Sequence, residues 1–181
     1  MRLFIALEFP REIKDELYKS GVLLRLFCSS GNFTTKDNFH ITLVFIGETD
    51  QSRVKEIKQI IDGTEIKDRM EISIGKTGNF RRDDGLFVRF AECGRSVYKL
   101  RDELADALIE SGFPIDKKPL KPHITMARKA CLTDPGAAEK INSIITPLSF
   151  VADSITLMRS DRINGKLTYT PVYKKEYLKK D

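Results

Sequence analysis

Apolar and polar positions along the chain switch between two periods. Residues 2–8 form a compact apolar run closed by Pro10, which predicts a buried strand. Between residues 11 and 26, Ile13, Leu17 and Leu24 recur at near-helical spacing among charges, predicting a helix. Residues 39–46, Phe-His-Ile-Thr-Leu-Val-Phe-Ile, are β-branched and aromatic and predict a strand ending at Gly47. A helix follows at about 51–62, with Val54, Ile57, Ile60 and Ile61 on one stripe. Residues 70–76 alternate, with Met70, Ile72 and Ile74 on one face of a half-exposed strand. Gly78 to Gly85 reads as a hairpin turn with Arg81 and Arg82 at its tip.

The second half repeats the order. It predicts a strand at 86–92, a helix at 96–110 with Val97, Leu100, Leu104 and Leu108 inward, and a strand at 122–128. A helix at about 134–145 and a strand at 149–158 follow. The last strand, at about 167–177, comes after the turn Asn164-Gly165. The halves align without a gap at an offset of 83 residues. Leu3 falls on Leu86, Phe4 on Phe87, Leu17 on Leu100, Ile72 on Ile155, and His40-Ile41-Thr42 on His123-Ile124-Thr125. A further step takes Leu86 to Tyr169 and Phe90 to Tyr173. Two β-α-β-α-β halves of equal length would match apolar positions anyway, but not an identical His-Ile-Thr in the middle strand of each. The pattern therefore reads as an internal duplication about an approximate twofold. The halves span roughly 2–85 and 86–177 of one domain, 1–181, with terminal strands shared between lobes. The period is too long for a solenoid.

Composition narrows the class. At 181 residues, 41% hydrophobic and 31% charged, the chain can bury a core and stay soluble, which excludes a disordered or fibrous protein. No apolar run reaches the ~20 residues that span a bilayer, so no integral membrane protein is expected. The first ten residues are too short and wrongly flanked for a secretory signal. Cys28, Cys93 and Cys131 are an odd count without Cys-x-x-Cys spacing. They argue against a disulfide framework or structural zinc and for a reducing cytoplasm. A net charge of +5 and a pI near 9.1 suit a polyanionic partner, although the scattered lysine pairs fit an ordinary mixed-charge surface equally well.

The chemistry concentrates in two tetrapeptides. The only two histidines open His40-Ile41-Thr42-Leu43 and His123-Ile124-Thr125-Met126. On a strand, His40 and Thr42 share one face while Ile41 and Leu43 pack behind, and the second motif behaves likewise. A twofold would bring both His/Thr pairs to one groove. Two opposed imidazoles suit a reaction needing a general base and a general acid near neutral pH. The hydroxyls are placed to hold non-bridging phosphate oxygens. In-line phosphodiester cleavage uses that set without a metal. Singly, each histidine would read as structural; two symmetric copies holding the chain's whole histidine content favour catalysis. Two histidines with no carboxylate or cysteine at ligand spacing make a poor metal site, and Asp37 reads as a surface turn.

These motifs resemble the two-histidine (2H) phosphoesterase superfamily. The segments Arg2–Leu7, Asn38–Glu48, Pro119–Arg128 and Leu157–Ser160 are similar to its RNA 2′,3′-cyclic phosphodiesterase branch, the LigT-like "2′-5′ RNA ligase" group. Met126 stands where an aliphatic residue is usual. The resemblance implies a bilobal α/β (α+β) fold with two antiparallel sheets facing a central cleft, and no cofactor. It implies hydrolysis of a 2′,3′-cyclic phosphate at an RNA 3′ end to a 2′-phosphomonoester, with minor reverse 2′-5′ ligation. His40 would be the proton donor, His123 the proton acceptor, and Thr42 and Thr125 the phosphoryl ligands. RNA, tRNA fragments included, or small cyclic nucleotides would be the substrate partners of a monomeric, cytoplasmic enzyme.

Other candidates for substrate contact are Arg128, Lys121 and Lys36, with Arg81, Arg82, Arg159 and Arg162 as further backbone-tracking cations. Strict alternation puts Arg128 on the core side unless a bulge turns it. Phe4, Phe87 and Tyr169 lie on matched strands, where core packing competes with base stacking. Pro122 suits the start of a strand. The same site acting on another cyclic phosphate or a 2′-5′ oligonucleotide is the nearest alternative, and a non-catalytic RNA-binding module is another. Paired imidazole catalysis predicts a bell-shaped kcat/KM profile with both limbs between roughly pH 5 and 8; a flat profile across that range, with chemistry rate-limiting, contradicts it.

Overall fold

In the computed structural model, which describes residues 1–66, 68–80 and 85–177, two antiparallel sheets are each assembled from strands of both sequence halves. The elements are β1 (Arg2–Glu8), α1 (Arg11–Leu26), β2 (Cys28–Phe33), β3 (His40–Glu48), α2 (Val54–Gly63), β4 (Met70–Asn79) and β5 (Phe87–Cys93). They continue as α3 (Arg95–Glu110), β6 (His123–Leu132), α4 (Ala137–Asn142), β7 (Leu148–Ala152), β8 (Ser154–Ile163) and β9 (Lys166–Glu176). One sheet has the order β3-β1-β8-β9, the other β2-β6-β5-β4-β7. The trio β3-β1-β8 matches β6-β5-β4, so the third strand of each half completes the sheet begun by the other. Strands β2, β7 and β9 flank these trios and break the symmetry. The core lies between sheets and helices: Leu17 and Leu24 of α1, and Val97, Leu100, Leu104 and Leu108 of α3, pack on Leu3, Ile5, Leu7, Ile72 and Ile74. The turn at residues 81–84, including Arg81 and Arg82, lies outside the described residues.

Three elements differ from the sequence expectation. The strand expected at 149–158 is two strands, β7 on β4 and β8 on β1, in different sheets. The chain crosses at Asp153, whose carbonyl accepts from Tyr177 N at 2.8 Å. No glycine or proline marks the crossing, so the apolar pattern runs through it. The edge strand β2 went unread because Cys-Ser-Ser-Gly-Asn-Phe is polar and half exposed. Helix α4 is shorter than expected because Asp134 Oδ1 accepts from Gly136 N at 2.8 Å, holding the chain in a turn before it.

The gapless offset also slips by one residue between β1 and β5. Leu7 pairs with Ile41, but Arg89 pairs with Ile124; Ala6 pairs with Thr42, but Val88 with Thr125. The strand pairing therefore equates β1 with β5 at an offset of 82, while β3 and β6 keep 83. A one-residue slip exchanges the faces of a strand. Phe87 consequently lies in the main core, whereas Phe4 joins Ala6, Met158 and Tyr169 on the opposite face of the first sheet. Phe4 and Phe87 are not equivalent positions.

The slip also places Arg89, 1% exposed, where Leu7 sits in the first half. A bulge between Ile74 and Thr77 frees the Gly75 carbonyl from the ladder. Arg89 caps it with Nε at 3.0 Å and Nη2 at 2.9 Å, reaches Thr146 O at 2.9 Å through Nη2, and donates to Ser20 Oγ at 3.2 Å through Nη1. One guanidinium thus ties β4, α1 and the segment between α4 and β7. We predict that Arg89→Ala lowers folding stability by about 3 kcal/mol in urea denaturation, since it removes the buried guanidinium and its hydrogen bonds to two part-buried carbonyls. Arg89→Lys should recover less than half of that loss, because an ammonium cannot reproduce the fork; full recovery would show that only the charge matters.

Candidate active site

Strands β3 and β6 begin at His40 and His123, and each motif holds its alternation for four residues. Ile41 and Ile124 are fully buried and Leu43 and Met126 nearly so, while His40, Thr42, His123 and Thr125 are half-buried on the other face. Ile5 pairs with Val44 and Ala6 with Thr42, so Leu43 is an extra, bulged residue. Phe87 pairs with Ala127 and Val88 with Thr125, so Met126 is the corresponding extra residue on β6. The two bulges occupy matched positions, and each turns the second residue after it back to the histidine face. Those residues are Phe45 and Arg128. Both line the cleft of about 650 Å³ that contains His40, Thr42, His123 and Thr125. Met126 is thus the bulge that turns Arg128 away from the core side.

Each imidazole hangs from the backbone two residues before it. His40 Nδ1 lies 2.7 Å from Asn38 O, and His123 Nδ1 2.8 Å from Lys121 O. A carbonyl only accepts, so Nδ1 carries hydrogen in both rings and Nε2 is left to act. His40 Nε2 is 3.0 Å from Thr42 Oγ1, whose hydroxyl donates to it while the ring is neutral. Asn38 is itself clamped: its Nδ2 donates to Leu167 O at 2.8 Å, and its Oδ1 accepts from Tyr169 N at 3.2 Å. That brings Tyr169 edge-on to His40 at 5.0 Å, in a three-ring cluster with Phe4, which lies 4.9 Å from His40 and 5.0 Å from Tyr169. The ring beside His123 is Phe80 of the segment after β4, at 4.8 Å, resting on Phe90 at 5.3 Å.

The charges around the two rings differ. Glu8 faces His40 across the β1–β3 ladder and accepts from the buried Thr156 hydroxyl at 2.7 Å; Phe90 holds the corresponding place opposite His123. His40 is lowered to about 4, first by burial and also by His123 and Arg128, against the Asn38 carbonyl and Glu8, which raise it. His123 is lowered too, by burial first and then Arg128, with the Lys121 carbonyl opposing. In the free protein both rings are therefore neutral at pH 7, and the His40 limb expected above pH 5 moves down.

Of the remaining candidates, Lys121 contributes its carbonyl, while its exposed side chain does not line the cleft. Lys36 pairs with Asp15 of α1 and lies outside the cleft lining. Asp37 is exposed in a short 3₁₀ turn. Pro122 is buried before β6, and its carbonyl accepts from Ala91 N at 3.0 Å. Arg159 pairs with Asp161 at 2.5 Å, and Arg162 lines the cleft. Sequence reasoning missed Asn38, Phe45, Phe80 and Arg2, whose guanidinium lies 5.0 Å over the Phe45 ring at the cleft wall. The matched position of Phe45 and Arg128 was the available signal. Among the described residues, no three His, Cys, Asp or Glu side chains cluster, and no helix is long and apolar enough to cross a membrane.

The pH dependence of stability follows from His40. Its folded pKa lies below the unfolded value near 6.5, so between about pH 6.5 and 4 the unfolded chain binds a proton that the native chain does not. Native stability should therefore fall as pH drops through that window, by at most about 1.4 kcal/mol per pH unit from this group. Urea midpoints for wild type and His40→Gln at pH 7, 6 and 5 test this: the variant should have the shallower slope, and equal slopes would contradict it.

Comparison with known proteins fits this arrangement. Residues 30–164 match the model of the 2′-5′ RNA ligase superfamily. The chain is 31% identical over 130 residues to an RNA 2′,3′-cyclic phosphodiesterase of Bacillus subtilis, covering 70% of each chain. An Escherichia coli protein of the same name is 25% identical over 171 residues, covering 94% of this chain and 93% of that one. The structure of E. coli LigT complexed with 3′-AMP superposes with a TM-score of 0.79 at 23% identity over 98% of both chains, a likeness of fold.

Proposed function

The chain belongs to the 2′-5′ RNA ligase superfamily, and we propose that it hydrolyses 2′,3′-cyclic phosphates at RNA 3′ ends to 2′-phosphomonoesters. The observation that carries this reading is the matched pair of Nε2 atoms, each fixed by a carbonyl two residues upstream, lining one cleft. The activity in the names of the relatives supports the substrate class.

In the proposed reaction, His123 Nε2 takes a proton from water as its oxygen bonds to phosphorus. The P–O3′ bond breaks on the opposite side, and His40 Nε2–H gives its proton to the departing oxygen. Glu8 favours the imidazolium at His40 and has no counterpart at His123, where Phe90 holds the matched place, while Arg128 opposes a cation at both rings; Glu8 is the neighbour that suits His40 to the donor role. The phosphodiester charge entering the cleft offsets the burial that keeps His40 neutral when the cleft is empty. Thr42 then releases Nε2 and, with Thr125, donates to the non-bridging oxygens, while Arg128 neutralises their charge. Run backwards, with a 5′-hydroxyl in place of water, the same groups would ligate; water at bulk concentration favours hydrolysis. Both histidines come from one chain, which supports a monomer, and three unpaired cysteines suit the reducing cytoplasm.

The test is turnover of a nucleoside 2′,3′-cyclic phosphate in excess chelator, with the product read by phosphorus NMR. His40→Ala and His123→Ala should each lower kcat by ~10²–10⁴. Full activity in either variant, or dependence on added metal, would reject the mechanism.

A further inference from the structure

The cleft is forked. From His40, Thr125 and Arg128 a second arm of about 450 Å³ runs between β2 and the β8–β9 hairpin. One wall is the segment Gly31–Thr35, which brings Phe33, Thr34 and Thr35 to the arm. The other is the tight turn Asn164-Gly165, both at positive φ, followed by Lys166 and Leu167. Arg162 braces this turn by donating to Gly165 O at 3.2 Å. A Cβ at Gly165 would meet nothing within 4 Å, so the rim is open to a ligand.

The lining of this arm is one-sided in charge. Arg128, Arg162 and Lys166 contribute cations, and among the described residues no aspartate or glutamate lines it. Among the described residues, neither Arg128 nor Lys166 has an ion-pair partner. The other arm differs, since it carries Asp161 and the Arg2–Phe45 stack. A groove with unpaired cations, hydroxyl donors and an aromatic face fits one nucleotide with its phosphate.

We infer that this second arm holds the nucleotide immediately 5′ of the reacting ribose, so that a strand carrying that nucleotide is turned over faster than a free nucleoside cyclic phosphate. The inference rests on the function proposed above. In that reaction the attacking group is water, and both ester oxygens of the ring belong to one ribose. The only further RNA therefore leaves from the 5′ side. Its linking phosphate meets Lys166 and Arg162, and its base lies along Phe33.

The experiment compares kcat/KM for a mononucleoside 2′,3′-cyclic phosphate and for the dinucleotide ending in it, for wild type, Lys166→Ala and Lys166→Glu. Wild type should prefer the dinucleotide by about tenfold or more, the scale of one stacked base with a phosphate contact. The preference should shrink in Lys166→Ala and vanish in Lys166→Glu, with native-like thermal midpoints. The slope of log kcat/KM against log salt for the dinucleotide should fall by about 0.7 in Lys166→Ala. Equal rates on the two substrates in wild type, or a preference unchanged in both variants, would overturn the subsite while leaving the proposed chemistry intact. Failure of wild type to turn over either substrate would overturn both.

Discussion

The site depends on one repeated hydrogen bond. Each imidazole is tied through Nδ1 to the carbonyl two residues upstream, which fixes the tautomer and directs Nε2 into the cleft. A neutral ring without that bond could present either nitrogen and either orientation. The bond is cheap in sequence, because it uses backbone. It is demanding in structure, because the carbonyl must be held in place. On the first side Asn38 is held through its side chain by β9; on the second, the adjacent Pro122 bonds to β5 through its carbonyl.

The matched strand trios supply two such motifs, and departures from symmetry differentiate them. Glu8 stands across from His40 where Phe90 stands across from His123. Phe45 and Arg128 emerge from equivalent bulges but bring an aromatic face to one wall and a charge to the other. Tyr169 and Phe4 flank His40, whereas Phe80 borders His123. A symmetric pair of neutral bases would have no preferred direction of proton flow. Among these neighbours Glu8 favours a cation at His40 and has no counterpart at His123, while Arg128 opposes a cation at both.

Much of this was legible in the sequence. Alternation within His-Ile-Thr-Leu gave the facing of both histidines and threonines, and the identity of the two tripeptides gave their convergence. The bulges were not legible: Leu43 and Met126 are ordinary apolar residues, and nothing in residue type signals an extra residue in a ladder. That is why alternation alone left Arg128 undecided between core and cleft; Phe4 and Phe87 aligned because the one-residue slip between β1 and β5 exchanges one apolar position for another. Lys36 and Lys121 read as cleft cations because sequence shows proximity along the chain, whereas side-chain direction decides who reaches the phosphate. The polar edge strand β2 gave no hydrophobic signal, yet it forms a wall of the second arm. The crossing at Asp153 was hidden because both sheets continue one apolar period.

The central claim is that both Nε2 atoms address one phosphorus from opposite sides. A crystal structure with uridine 2′,3′-cyclic vanadate, a five-coordinate mimic of the transition state, tests it directly. The account predicts His40 Nε2 and His123 Nε2 each within hydrogen-bonding distance of opposite apical oxygens, with Thr42 and Thr125 on equatorial ones. Two imidazoles on the same side of the vanadium, or either one turned away from it, would contradict the account.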